Sequence, residues 1–286
     1  MSYTRREVVP PHRPVLVIGL EGALDAGFAA GTAIDTLLAQ FDARTFASFD
    51  ADELIDFRAR RPQIRVSDGV RGKLFWPGPR LRVGSDAHGV GLSFLVGSEP
   101  DFRWRPFAKE VTELAVELGT PLVVGFGAVA AQTPHTRPVL VVSSASDQSL
   151  ARKIGYRPGA WARPARLVDV VGSFCVEAGI PSIGLTALVP HYVATIAFPA
   201  ASLALLDAFQ SVTGLTIDTE TLRSSAQETK KQVDELIAQS QEHVKMLSQL
   251  EKQYEDENSV LGGESGIPSG DEIAEELERY LRGEMQ

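Results

Sequence analysis

Two proline-framed loops hold the side chains best suited to chemistry, Pro134-His-Thr-Arg-Pro138 and Pro190-His-Tyr-Val193. Each sets a histidine in a stiff loop beside the expected end of a strand. On the rim of a common cleft, His135, His191 and Arg137 could hold an anionic group, with two imidazoles and a guanidinium supplying hydrogen bonds and charge. Alternatively, both imidazoles simply fix the geometry of their own loops. The segment Ser143-Ser-Ala-Ser-Asp147 follows a strand, so Ser144 and Asp147 either join the same rim or form a hydrogen-bonded turn. Glu21 and Asp25 stand in the corresponding place after the first strand, where a carboxylate at a helix start often acts as a cap. Glu99 follows a further strand. The candidate cleft is therefore Glu21, Asp25, Glu99, His135, Arg137, Ser144, Asp147 and His191. Catalytic residues within it are not assigned.

Gly125-Phe-Gly-Ala-Val-Ala130 formally matches the dinucleotide fingerprint G-x-G-x-x-A, with Asp147 about twenty residues on. Such a fingerprint must open a long helix whose aligned N–H groups meet the pyrophosphate, and Pro134 and Pro138 interrupt the segment too soon. A tight strand-to-turn connection is the expected reading. The nucleophile elbow, the S-x-x-K pair, the H-E-x-x-H helix and the P-loop are all missing. The reading leans away from an enzyme, with no cofactor and no metal. Cys175, the only cysteine, lies mid-helix between Phe174 and Val176, where a buried inert thiol is expected, and it excludes both an intrachain disulfide and a cysteine-cluster zinc site.

The elements that must position these groups can be followed along the chain. Val15 to Leu20 is apolar on both faces, as a buried parallel strand should be, and a helix with small residues follows from Asp25 to Gln40. Short alternating segments between Phe46 and Gly97 suggest hairpins. Strands are then expected at Gly91–Val96, Pro121–Gly125, Val139–Ser143 and Ser182–Leu188. Helices are expected at Phe107–Leu118, Arg166–Ala178 and Pro199–Thr213. This alternation predicts a three-layer α/β sandwich with a mostly parallel central sheet, in which ligands sit beyond the carboxyl ends of the strands.

Residues 1–217 form that domain, and a charged arm follows over 218–258. Thr219 to Asn258 contains no Gly or Pro, and Leu222, Ala226, Val233, Leu236, Leu247, Leu250 and Tyr254 make a coiled-coil-like stripe that Thr229, Ser240 and His243 interrupt. A flexible linker over 259–270 leads to a short amphipathic helix in 271–286 that presents Ile273, Leu277, Tyr280 and Leu281. The partner-binding candidates are Leu236, Leu247, Leu250, Tyr254, Leu277 and Tyr280.

The net charge of −9, concentrated after Thr216, argues against nucleic acid as a partner. The first apolar run is too short for a signal sequence or a membrane span, so a cytoplasmic protein without membrane contact is expected.

Several segments in order resemble the proteasome assembly chaperone 2 (PAC2) family, in its actinobacterial and archaeal form. They are Gly22-Ala-Leu-Asp-Ala-Gly27, Phe57-Arg-Ala-Arg-Arg-Pro62, Gly97-Ser-Glu-Pro100 with Trp104 and Phe107, Pro134-His-Thr-Arg-Pro138, and Gly179-Ile-Pro181 leading into Val189-Pro-His-Tyr-Val193. The likeness runs from about Val15 to Leu222. It implies a phosphorylase-like α/β sandwich, self-association with a trimer favoured by analogy of fold, and a chaperone that binds proteasome subunits in the archaeal and eukaryotic relatives. Those relatives engage the proteasome through a terminal hydrophobic-Tyr-X tripeptide, whereas this chain ends Glu284-Met-Gln286 and carries its nearest counterpart, Arg279-Tyr280-Leu281, internally. The expected function is thus a non-catalytic homo-oligomeric scaffold or assembly-chaperone-like protein. The alternative is an enzyme or small-ligand binder of phosphorylase-like fold.

Overall fold

The computed structural model describes residues 3–22, 25–156 and 162–262. The strands are β1 (Tyr3–Arg5), β2 (Val15–Glu21), β3 (Arg44–Phe49), β4 (Gln63–Ser67), β5 (Val70–Phe75), β6 (Arg80–Ser85), β7 (Gly91–Ser98), β8 (Val123–Ala131), β9 (Val141–Ala145) and β10 (Ser182–Pro190). The helices are α1 (Ala29–Gln40), α2 (Ala51–Leu54), α3 (Trp104–Glu117), α4 (Gln148–Arg152), α5 (Leu167–Glu177), α6 (Pro199–Thr213), α7 (Glu220–Ala238) and α8 (Gln241–Gly262). The chain divides into two compact units, residues 1–234 and 235–286.

In the first unit the segments apolar on both faces come together. β7, β2, β8 and β10 lie side by side, all parallel, at the centre of an eight-stranded sheet of order β1-β3-β6-β7-β2-β8-β10-β9. Antiparallel strands finish both flanks: β6, β3 and β1 on one, β9 on the other. A parallel centre buries both of its faces, because each crossover lays a helix on the sheet. Here α3 and α5 pack together on one face, and α1 and α6 on the other. Leu16 and Ile18 of β2 join Phe107, Val111 and Leu114 of α3 and Val171 and Cys175 of α5 in one core. Gly19, in the opposite phase of β2, faces α1, where an added Cβ would lie 2.3 Å from Ile34. The expected three-layer sandwich is the architecture found.

Two elements differ from the sequence reading. The helix expected from Asp25 begins at Ala29, because Gly27 and Phe28 both adopt positive φ in a 3-10 turn (Ala26–Phe28) that precedes it. Gly27 is required there, since a Cβ would lie 2.9 Å from that of Phe198. The expected turn at Gly125 is instead the middle of β8, which stays in unbroken parallel register with β10 from Val123 to Ala131. Its glycines admit α5: a Cβ on Gly125 would meet Val168, and one on Gly127 would meet the Arg166 guanidinium. A strand interior cannot present the N–H groups of a phosphate-binding turn, so the dinucleotide reading is excluded by topology.

The second unit contains the end of α7 and all of α8. The apolar stripe is not carried on one helix, since Gln239 and Ser240 separate the two. Ser240 starts α8, its backbone carbonyl accepting from Val244 N–H and its hydroxyl from His243 N–H. The linker and the 271–286 helix expected from the sequence lie outside the described residues. Among the described residues no helix is long and apolar enough to cross a membrane.

Phe107 is 1% exposed and meets the Phe49 ring edge-on at 4.7 Å, which ties α3 to β3. Phe107→Ala should lower unfolding free energy by about 3–5 kcal/mol. Urea titration checks this, with Val90→Ala, a change at an exposed position, expected within about 0.5 kcal/mol of wild type.

Candidate functional site

Four parallel strands bring their carboxyl ends to one edge, and Glu21 and Glu99 stand there beside the start of α5. Glu21 ends β2, its carboxylate accepting from the Ser98 hydroxyl at 3.3 Å and its carbonyl accepting from Glu99 N–H. The Glu99 carboxylate accepts from Leu167 N–H at 2.9 Å, satisfying a backbone donor in the first turn of α5. It lies over Gly22, where a Cβ would sit 2.7 Å from its Oε2. The Arg60 guanidinium donates to the Glu99 carbonyl at 2.9 Å and pairs with Asp101, which in turn accepts from Asp56 N–H. Asp169 accepts from Arg166 N–H at 2.8 Å and receives both guanidinium nitrogens of Arg163, at 2.7 and 2.8 Å. Burial pushes the Asp169 carboxyl up, but the Arg163 pair, the Arg166 N–H and the nearby Arg166 charge outweigh it and hold the pKa at about 2.

His135 lies in the loop after β8, and its side chain is fully enclosed. Tyr192, in the 3-10 turn (His191–Val193) after β10, accepts the His135 backbone N–H at 2.8 Å through its hydroxyl oxygen, which lies 2.7 Å from His135 Nδ1. His135 Nε2 is 2.9 Å from Asp234 Oδ1 on α7. The Tyr192 hydroxyl and the Asp234 carboxylate thus each engage one ring nitrogen. Asp234 also accepts from Lys230 one turn earlier, at 2.9 Å. Burial raises its carboxyl, and the Lys230 and His135 contacts lower it further than burial raises it. The histidine is thus a rivet joining two loops to the arm helix, and both of its ring nitrogens are used.

The sequence-derived cleft does not close as one site. His191 is exposed and meets His135 only through Tyr192, whose ring contacts the two imidazoles edge-on at 5.3 and 5.7 Å. Asp25 caps α1, accepting from Ala30 and Gly31 N–H at 2.7 and 3.0 Å. Ser144 and Asp147 do not share the rim. β9 runs antiparallel to β10, pairing Ala145 with Ile183, so both residues stand at the opposite edge of the sheet, where Asp147 caps α4 through Leu150 N–H. Cys175 is buried 3.5 Å from the Thr112 hydroxyl, and burial pushes its thiol pKa up.

Arg137 and His135 instead line a groove of about 800 Å3 formed with α6 and α7. Lys153, Arg223 and Lys230 add cationic groups to its wall, against one acid among the described residues, Asp207, and Leu203 and Phe198 add apolar surface. That composition suits an anionic group with an apolar body. The sequence reading missed Tyr192, Asp234, Arg166, Asp169 and the groove lysines. Arg166/Asp169 and Lys230/Asp234 were visible as three- and four-residue charge spacings, whereas Tyr192 had no signal of its own. Of the arm candidates Leu236 is 59% exposed, Leu247 and Tyr254 are half-buried and Leu250 is buried; Leu277 and Tyr280 lie outside the described residues. Among the described residues no group of three or more His, Cys, Asp or Glu could hold a metal ion.

His135→Ala leaves the Tyr192 hydroxyl and Asp234 without their ring partner. It should cost about 1–3 kcal/mol and raise hydrogen exchange of the 220–234 amides, and unchanged protection there would sink the rivet. The folded pKa of Asp169 is depressed, so its contribution is complete above the ordinary carboxyl value of 3.8 and is lost as pH falls towards about 2. Asp169→Asn should remove about 2 kcal/mol at pH 7, and the difference from wild type should shrink in denaturation at pH 2–3.

The PAC2 family profile matches residues 19–237. A PAC2 family protein from Streptomyces avermitilis is 36% identical, with a TM-score of 0.73 over 82% of this chain and 99% of that one. A Mycobacterium tuberculosis proteasome-assembly chaperone homologue is 34% identical, with a TM-score of 0.76 over the same shares. A second M. tuberculosis protein, of unknown function, is 30% identical with a TM-score of 0.84 over 92% of both chains. No curated protein sequence matches the chain. The ordered motifs, the parallel centre and a family match spanning most of the sequence lead to one conclusion: this chain belongs to the PAC2 family.

Proposed function

We propose that this protein is a non-catalytic, homo-oligomeric assembly chaperone of the cytoplasm whose client is a proteasome subunit. The observation that carries the reading is how the charged groups at the strand ends are used. Glu99 and Asp25 satisfy helix-start N–H groups, Asp169 holds two arginines, and His135 spends both ring nitrogens on Tyr192 and Asp234. Groups bound in this way stiffen loops for recognition, and using one as a general base would require breaking the bond that places it. The 34% identity to a proteasome-assembly chaperone homologue supports the choice of client.

The cationic groove favours a second reading, a small-anion binder. One experiment separates the two. The full chain is mixed with purified proteasome α- and β-subunits of its own organism and run on size exclusion, and titrated in parallel with inorganic phosphate and a nucleoside monophosphate. Co-elution with a subunit, and faster formation of full proteasomes, is the expected result. No co-elution together with a saturable heat of anion binding, abolished by Arg223→Glu, would replace the chaperone with the ligand binder.

A further inference from the structure

The hairpin β4–β5 stands apart from the main sheet as its own two-stranded sheet. Its formation is local: Asp68 and Gly69 both take positive φ, at 50° and 78°, as the two-residue turn of a type I′ hairpin demands. At its base, Trp76 meets Phe57 edge-on at 5.0 Å, and Phe57 packs on the core. Beyond that anchor every residue of both strands is exposed. Val70 is 71% exposed, Phe75 58%, Val66 55% and Trp76 49%. Ile64 pairs with Leu74 across the strands and shares their face with Val70, while Phe75 and Val66 occupy the other. A lone two-stranded hairpin is marginal in water, and a contiguous apolar projection of this kind marks an interaction site.

Charge selects the occupant. The hairpin and its approach carry Arg58, Arg61, Arg65, Arg71 and Lys73, all exposed, against one acid, Asp68. Residues 1–217 hold twenty-one basic and twenty acidic residues, whereas 218–286 hold seventeen acidic against seven basic. The largest complementary charge on the chain is therefore its arm, and self-association brings the arm of a second copy to the hairpin. Hairpin against hairpin would oppose like charges, and a chain of net charge −9 is repelled by nucleic acid. The arm also presents apolar side chains, with Leu236 and Val244 exposed, so apolar and charged complementarity coincide. We propose that the β4–β5 hairpin is the face by which one copy of this chain holds the acidic arm of a second. This rests on the self-association in the reading above and assigns its contact surface.

The test mixes 14N- and 15N-labelled full-length protein, couples amines to carboxylates with a zero-length carbodiimide, and reads the junctions by mass spectrometry. Sedimentation equilibrium is run alongside. Mixed-isotope junctions between Lys73 and carboxylates of 218–286 are expected. The triple change Arg65→Glu, Arg71→Glu and Lys73→Glu keeps the Asp68–Gly69 turn, and its folding is checked by circular dichroism. It should weaken association by at least about tenfold at low salt, with the gap narrowing in 1 M salt at a Debye length of about 3 Å. An oligomer whose Lys73 couples only to the arm of its own copy, to another hairpin, or to nothing, overturns the assignment while leaving self-association standing. So does an affinity indifferent to the triple change. A monomer throughout the micromolar range overturns both.

Discussion

Burial of the parallel centre on both faces is the constraint from which the rest of the first unit follows. β2 can place Leu16, Val17 and Ile18 at essentially zero exposure only if helices cover the sheet above and below. Parallel neighbours cannot be joined by tight turns, so each crossover supplies such a helix, and α3 and α5 close one face while α1 and α6 close the other. The same geometry gathers the carboxyl ends of β7, β2, β8 and β10 along one edge. Small residues then set how near the helices come: Gly19 admits Ile34, and Gly125 and Gly127 admit Val168 and Arg166.

That edge has a cost in backbone polarity. Helices that begin there expose N–H groups that no helical carbonyl can satisfy. The chain answers with nearby carboxylates: Asp25 caps α1 within its own crossover, and Glu99, just after β7, reaches the first residue of α5. Arginines accumulate nearby: Arg60 pairs with Asp101, forty-one residues on, and donates to the Glu99 carbonyl, while Arg163 and Arg166 pair locally with Asp169 at the start of α5. An edge that resembles a cluster of acid–base groups in composition is, in geometry, a set of fasteners. His135 extends the pattern to α7, so the arm's first helix is held to the domain by a polar rivet as well as by the buried Leu222 and Val233.

Charge is partitioned along the chain on a larger scale. A nearly neutral α/β body carries a basic, apolar hairpin, and the acidity is reserved for the arm. Such a partition has little influence on the fold of either part, since most of these side chains are solvated and weakly coupled. Screened charge of this kind steers the approach of other molecules and suppresses wrong pairings.

Much of this was legible before any coordinates. The both-faces-apolar run at Val15–Leu20 specified a buried parallel strand, the alternation of strands and helices specified a three-layer sandwich, and α6 falls at the expected Pro199–Thr213. Those signals are local: periodicity, capping and turn chemistry act within a few residues. The turn expected at Gly125 failed because glycine has two uses, positive φ or close approach, and only the neighbouring α5 reveals that the second applies. The shared rim failed for Ser144 and Asp147 because the direction of β9 is set by its pairing with β10, a contact some forty residues away in sequence. By itself, then, the sequence determined the layers, the family and the segregation of charge. Tertiary structure alone decided which polar groups meet, because a hydrogen bond between His135 and an aspartate ninety-nine residues away depends on distances and directions that only the packed sheet imposes.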